Sequence, residues 1–199
     1  MGRPSEARER VIEAAGELFH ERGYHAVGVS EICGRAEVQK GSFYHFFASK
    51  QKLALAVIER YLETAEEAAA EVLAGDGAPL DRLERYFTAL HERQVGQCAG
   101  GARVLGCPLG NLALELATWD EELREALRRG FDRQVADLEA VLREARRAGE
   151  IGADVDIGAA ARALVALLEG HLLFAKLRND AAPLAGLAPV ARRVLGLSA

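Results

Sequence analysis

From residue 6 almost to its end, this chain repeats its apolar residues at three- and four-residue steps, and nowhere does it alternate them as a strand would. In "EARERVIEAAGELFHER", residues 6–22, the set Ala7, Val11, Ala15, Leu18 and Phe19 forms one stripe of an amphipathic helix. Ser5 is placed to cap it, Glu6 and Glu9 suit the positive end of the helix dipole, and Gly23 can take the left-handed stop. The same period predicts helices over 29–36 and 40–46. From Ser49 a helix of about 24 residues, roughly 36 Å long, runs toward Gly75. Further helices are predicted over 80–96, 109–117, 120–148, 156–178 and 184–197, with Pro183 and Pro189 in the first turns of the last. No internal repeat and no low-complexity segment interrupts them, so the fold class is all-α.

Two short helices joined by the three residues "EVQ" and preceded by a longer one make a helix-turn-helix arrangement. A helix as long as the fourth leaves that small core and enters a second, so a domain boundary falls inside it. The expected division is a helix-turn-helix domain over 1–52 and a second helical domain over 53–199, to which the family resemblance given below assigns effector binding and dimerisation.

The stretch "VQKGSFYHFF", residues 38–47, gathers aromatics that make up only 6% of the chain. Helical over 40–46, it puts Phe43 and Phe46 or Phe47 on one side with Val38 behind them. Gln39, Lys40, Ser42, Tyr44 and His45 fall on the other. The first set plugs a small core and the second faces outward. Between Gln39 and Lys52 lie three lysines and no acidic residue. Residues 1–60 carry nine Lys and Arg against eight Glu, and the rest of the chain 16 against 22, so the net charge of −5 belongs to the C-terminal part. A basic patch on one small helix pair is the electrostatic footprint of nucleic-acid binding.

No apolar run approaches the roughly 20 residues that a bilayer crossing needs, and "MGRPSEARER" is too charged to be the core of a secretory signal. Three cysteines, Cys33, Cys98 and Cys107, are an odd number at irregular spacing and form neither a disulfide framework nor a zinc knuckle. The expectation is a cytoplasmic protein with no membrane partner, no metal and no cofactor. Enzyme chemistry needs a nucleophile with its base, paired carboxylates, a phosphate cradle or a metal set, and none stands at a diagnostic spacing. "GDGAP" and "AGGARVLG" contain glycines but not the order of a phosphate loop.

Residues 11–58, "VIEAAGELFHERGYHAVGVSEICGRAEVQKGSFYHFFASKQKLALAVI", resemble the helix-turn-helix signature of the TetR/AcrR family of bacterial transcription regulators. The agreement runs through Leu18-Phe19, Gly23-Tyr24, Val29, Ile32, Val38, Lys40-Gly41, Tyr44, Phe47 and Ser49-Lys50. "GCPLGNLALELA" at 106–117 looks like one subset of the same proteins. The resemblance implies a homodimer with two DNA-reading heads and a C-terminal bundle that holds a small-molecule effector. Carried onto this chain, it assigns double-stranded operator DNA to Ser30, Gln39, Lys40, Gly41, Ser42, Tyr44, His45 and Lys50, with Ser30 and Lys50 at phosphate-contacting positions. Tyr44 and Lys40 suit phosphate, because most protein–DNA hydrogen bonds go to the backbone. Gln39 suits a base edge, because its amide can pair adenine. The chain departs from the family at Glu37, where a glycine is usual, at Gln39, where Ser or Thr is, and at Val27-Gly28, where a threonine is.

For the effector the candidates are Phe87, His91, Cys107, Asn111, Glu115, Trp119, Phe131 and His171. Asn111, Glu115 and Trp119 recur at four-residue spacing, whereas His91 and His171 lie in apolar stripes that also suit satisfied core histidines. Cys107 precedes a helix start, where backbone amides can make a thiol reactive, and Cys98 is nine residues away, so a redox switch is an alternative to a bound effector. Residues 157–197 are apolar on more than one face and are the expected dimer surface. The function expected is a repressor released from a palindromic operator by a small molecule, with activation as an alternative.

Overall fold

The computed structural model describes residues 4–97 and 102–197, with side chains from residue 6. Among the described residues there is no strand. The helices are α1 (Pro4–Arg22), α2 (Val29–Arg35), α3 (Lys40–Phe46), α4 (Lys50–Leu73), α5 (Pro79–Gln97), α6 (Pro108–Leu116), α7 (Glu121–Arg147), α8 (Ile157–Arg178), α9 (Ala182–Ala185) and α10 (Leu187–Val194). Ser5 therefore sits inside α1 instead of capping it. The single helix expected over 184–197 is two, because Pro189 has no N–H for the carbonyl of residue 185 and its ring crowds that carbonyl, so the chain breaks at Gly186. Cys98 lies outside the described residues.

Packing groups the helices into two compact units, of which one holds residues 1–64 with 108–130 and the other 65–107 with 131–199. Helices α4 and α7 each contribute to both. The functional division expected at 52/53 is thus distinct from the division by contacts.

In the first unit, Val11, Ala15, Leu18 and Phe19 of α1 meet Ile32 and Cys33 of α2, Phe43 of α3 and Leu53, Val57 and Ile58 of α4. Leu112 and Leu116 of α6, together with Leu123 and Leu127 of α7, complete this core. Gly16 in the middle of α1 costs about 1 kcal/mol of helix propensity relative to alanine. A Cβ there would stand 3.2 Å from the Tyr61 hydroxyl, which donates to the Gly16 carbonyl at 2.6 Å.

The second unit packs α5, α8, α9 and α10 around Leu83, Phe87, Leu164, Leu168, Leu184 and Leu187, with Leu138 and Leu142 from α7. Buried Arg82 ties its parts together, donating to the Leu73 carbonyl at 2.7 Å and pairing with Glu144. Asp156 caps α8 by accepting from the Ala159 amide at 3.0 Å. By length and composition α8 is apolar enough to cross a bilayer, which corrects the reading that no run approaches that length. Only two charges interrupt most of it, but Ala161, Leu164, Leu168, Leu172 and Ala175 are buried in the unit's core, as in the central helix of a bundle.

Candidate nucleic-acid interface

α2 ends in a left-handed turn. Glu37 stands at φ +55, and the Val38 amide reaches back to the Cys33 carbonyl at 3.0 Å while Val38 packs on the core. This is the hydrogen-bonded C-terminal turn that usually takes glycine, and glutamate pays for it with backbone strain. The turn delivers the chain to Gln39, which is extended at φ −74 and ψ 146 and starts α3 without using its side chain as a cap. The carboxamide is left to project outward.

On α3, Phe43 is wholly buried and Phe47 beyond it nearly so, with their rings 5.9 Å apart. Lys40, Gly41, Tyr44 and His45 are exposed, Tyr44 by 54%, and Ser42 is half-buried. The first turn of α3 carries no acidic residue. Ser30 is exposed in the first turn of α2. An aromatic plug thus fixes a short helix whose other face offers an amide, an ammonium, a hydroxyl and an imidazole, the groups that meet base edges and phosphates.

Lys50 does not follow its neighbours. It is half-buried, its ammonium binds the Tyr24 carbonyl and lies 4.1 Å from the Tyr24 ring centre. Burial pushes its pKa down, against the nearby Glu115 charge, which pushes it up. At the start of α4 the Ser49 hydroxyl accepts the Lys52 amide at 3.2 Å, and the first-turn amides of α4 form the positive end of its dipole.

The eight effector candidates divide between the units. Asn111, Glu115 and Trp119 belong to the first, and Phe87, His91, Cys107, Phe131 and His171 to the second. α6 ends at Leu116, so Trp119 lies in the following turn, 80% exposed, and the four-residue spacing does not carry it onto the face of Asn111 and Glu115. Glu115 accepts the backbone amides of Tyr24 and His25 at 2.8 and 2.6 Å.

In the second unit, Phe87 is buried, Cys107 and Phe131 pack against the same core, and His171 meets the Leu167 carbonyl of its own helix at 2.9 Å. His91 is half-buried. Three polar groups in this core escaped the sequence reading. Gln134 donates to the Tyr86 hydroxyl at 3.3 Å, and burial pushes that phenol's pKa up. Glu169 is largely buried, which raises its carboxyl, while a hydrogen bond with Cys107 pulls it partly back. Gln94 is buried with its Oε1 unpartnered among the described residues. Glu169 alone left a signal, as the one acid inside the apolar run of α8. A surface depression at the end of α7, lined by Glu139, Arg143, Arg146 and Arg147, contains none of the expected effector residues.

Residues 11–57 match the family described as bacterial regulatory proteins of the tetR family, and residues 79–189 match the tetracyclin repressor-like C-terminal domain. The chain belongs to the TetR family. It is 40% identical to the transcriptional regulator AcuR of Cereibacter sphaeroides over 89% of its own length and 80% of that protein. To the transcriptional repressor DhaR of a Mycobacterium species it is 30% identical over 89% and 86%. A regulatory protein TetR from Rhodobacter sphaeroides superposes with a TM-score of 0.87 at 33% identity, covering 94% of this chain and 98% of that one. The reduced form of Escherichia coli NemR superposes with a TM-score of 0.82 at 28% identity over 94% and 95%. This TetR-family chain is accordingly a DNA-binding transcriptional regulator of a non-enzymatic class. Regulators of the family bind operator DNA and ligands and act as dimers.

Proposed function

We propose that this TetR-family protein is a cytoplasmic repressor that leaves a palindromic operator when a small molecule binds its second unit. The observation that carries the DNA half is the outward face of α3, where Gln39, Lys40, Ser42, Tyr44 and His45 surround a helix pinned by Phe43. In this reading Gln39 meets a base edge. Lys40, Tyr44 and Ser30 meet phosphates, Gly41 lets the backbone come close, and Lys50 contributes its amide at the start of α4. The effector is taken by Phe87, Cys107 and Phe131 with His91 and His171, helped by the polar groups of Tyr86, Gln134 and Glu169, against the apolar core of the unit. α4 is continuous through residues of both units, so a ligand that prefers one setting of α4 biases the reading head.

Retardation of DNA from the chain's own upstream region tests the reading. Binding should weaken steeply with salt, and an effector should lose affinity when operator is present by the same factor that it costs the operator. Binding that ignores salt, or equal effector affinity with and without operator, would refute it.

A redox reading has its own support, because Cys107 is partly exposed directly ahead of the start of α6, where backbone amides favour a thiolate, and the related NemR structure is of a reduced form. A mild oxidant should then abolish retardation by the wild-type chain and spare Cys107→Ser.

A further inference from the structure

The turn after α1 is held from two sides. The Glu115 carboxylate takes two adjacent backbone N–H groups, of Tyr24 and of His25, from 91 and 90 residues along the chain. Those amides follow Gly23, at φ +86, where the chain has turned away from the axis of α1, and both are met by Glu115. Lys50 of α4 closes the other side, binding the Tyr24 carbonyl and covering the Tyr24 ring. The fit is close, since a Cβ on Gly23 would stand 2.9 Å from Glu115 Oε2. This turn sets where α2 begins, at Val29, and α2 sets α3 through the left-handed turn at Glu37.

We propose that Glu115 is a positioning residue for DNA binding, which clamps the Tyr24 and His25 amides and so holds α2 and α3 in the posture that reads DNA. The proposal rests on the DNA-reading function given above but names a residue that touches no DNA. It gives α6 a direct hold on the reading head, because Glu115 sits in the last turn of that helix while Leu112 and Leu116 anchor it in the same core. A carboxylate that meets two convergent amides makes charge-assisted hydrogen bonds, stronger than neutral ones, so the turn has a defined closed state to lose.

Glu115→Ala should speed hydrogen exchange at amides 24 and 25 by on the order of tenfold and weaken DNA binding by about the same factor, as the competent fraction falls. The slope of log affinity against log salt should not change, because no phosphate contact is lost. Leu114→Ala, on the exposed side of the same helix, should leave all three readings at wild-type values. Glu115→Gln keeps one neutral acceptor and should fall between wild type and alanine, and it decides the matter if the alanine variant loses its helical circular dichroism. Wild-type exchange and affinity in both Glu115 variants would overturn the proposal. So would tighter binding with a steeper salt slope, which would mean that the carboxylate competes with phosphate for Lys50. A wild-type chain that binds no upstream DNA would overturn the DNA-reading function and the proposal together, whereas a failed clamp alone leaves wild-type binding intact.

Discussion

Glu37 occupies a left-handed position where glycine is the unstrained choice. Glu37→Gly should relieve about 1–2 kcal/mol of backbone strain and give back part of it as unfolded-chain entropy, a net gain of about 0.5–1 kcal/mol in unfolding free energy, read as a higher denaturant midpoint. Glu37→Ala keeps the strain and should gain nothing, yet both variants lose a negative charge beside the reading helix and should bind DNA more tightly at low salt. Equal stability of the two variants would contradict the strain argument. The outward side chains separate in a similar way. Lys40→Ala should lower the salt slope by about one unit, whereas Tyr44→Phe should weaken binding with the slope unchanged, because a neutral hydroxyl displaces no counterion. Single-residue detail was legible in the sequence where period alone decides it, as at Phe43 and Tyr44, which fall on opposite faces of one helix. It was illegible where a side chain's destination is set by distant chain. Lys50 lies at a phosphate-contacting position in the family pattern, but its ammonium turns to Tyr24, 26 residues back. Glu115 was marked by spacing alone, which could not show the amide pair it meets some 90 residues away.

Helices were legible to within a few residues because each carries its own period and punctuation, as where the helix expected to run toward Gly75 ends at Leu73. The division of 184–197 was not, because the break depends on how Pro189 meets the preceding turn. Nor was the acid inside α8 assigned a state by its sequence, since only packing decides it. Burial raises the Glu169 carboxyl above the ordinary carboxylate value, so the folded chain holds this proton to higher pH than the unfolded chain does. Its contribution to stability is complete below the unfolded value of about 4.3 and is lost as pH rises through the folded one. Glu169→Gln cannot ionise and should show a flatter profile, gaining on the wild type as pH rises above the ordinary carboxylate range in urea denaturation. A wild-type-to-variant difference that stays constant through that rise would mean that the carboxyl ionises equally in both states.

Across the whole molecule, the apolar surface left on α8 and α10 implies a partner. Leu173, Phe174 and Leu177 are exposed on α8, Leu177 by 76%, and Val194 is exposed on α10, although the opposite side of each helix is buried in the second unit's core. Dimers are the family's rule, and the proposed interface over 157–197 would cover this face against its own copy. A charge at its centre should be intolerable there and harmless in a free chain. Leu177→Glu combined with Phe174→Glu should give a monomer mass by light scattering at micromolar concentration, with helical circular dichroism retained because neither side chain is buried within the unit. DNA binding should fall much further than dimer mass alone suggests. Two linked heads bind a palindrome with an effective concentration in the millimolar range for the second head, so separating them forfeits roughly 100- to 10,000-fold in affinity without touching a single DNA contact. A half-site duplex discriminates the cause, since it should be bound equally by wild type and variant. Loss of half-site binding would place the damage in the reading head, and a variant that stays dimeric would move the interface off this face.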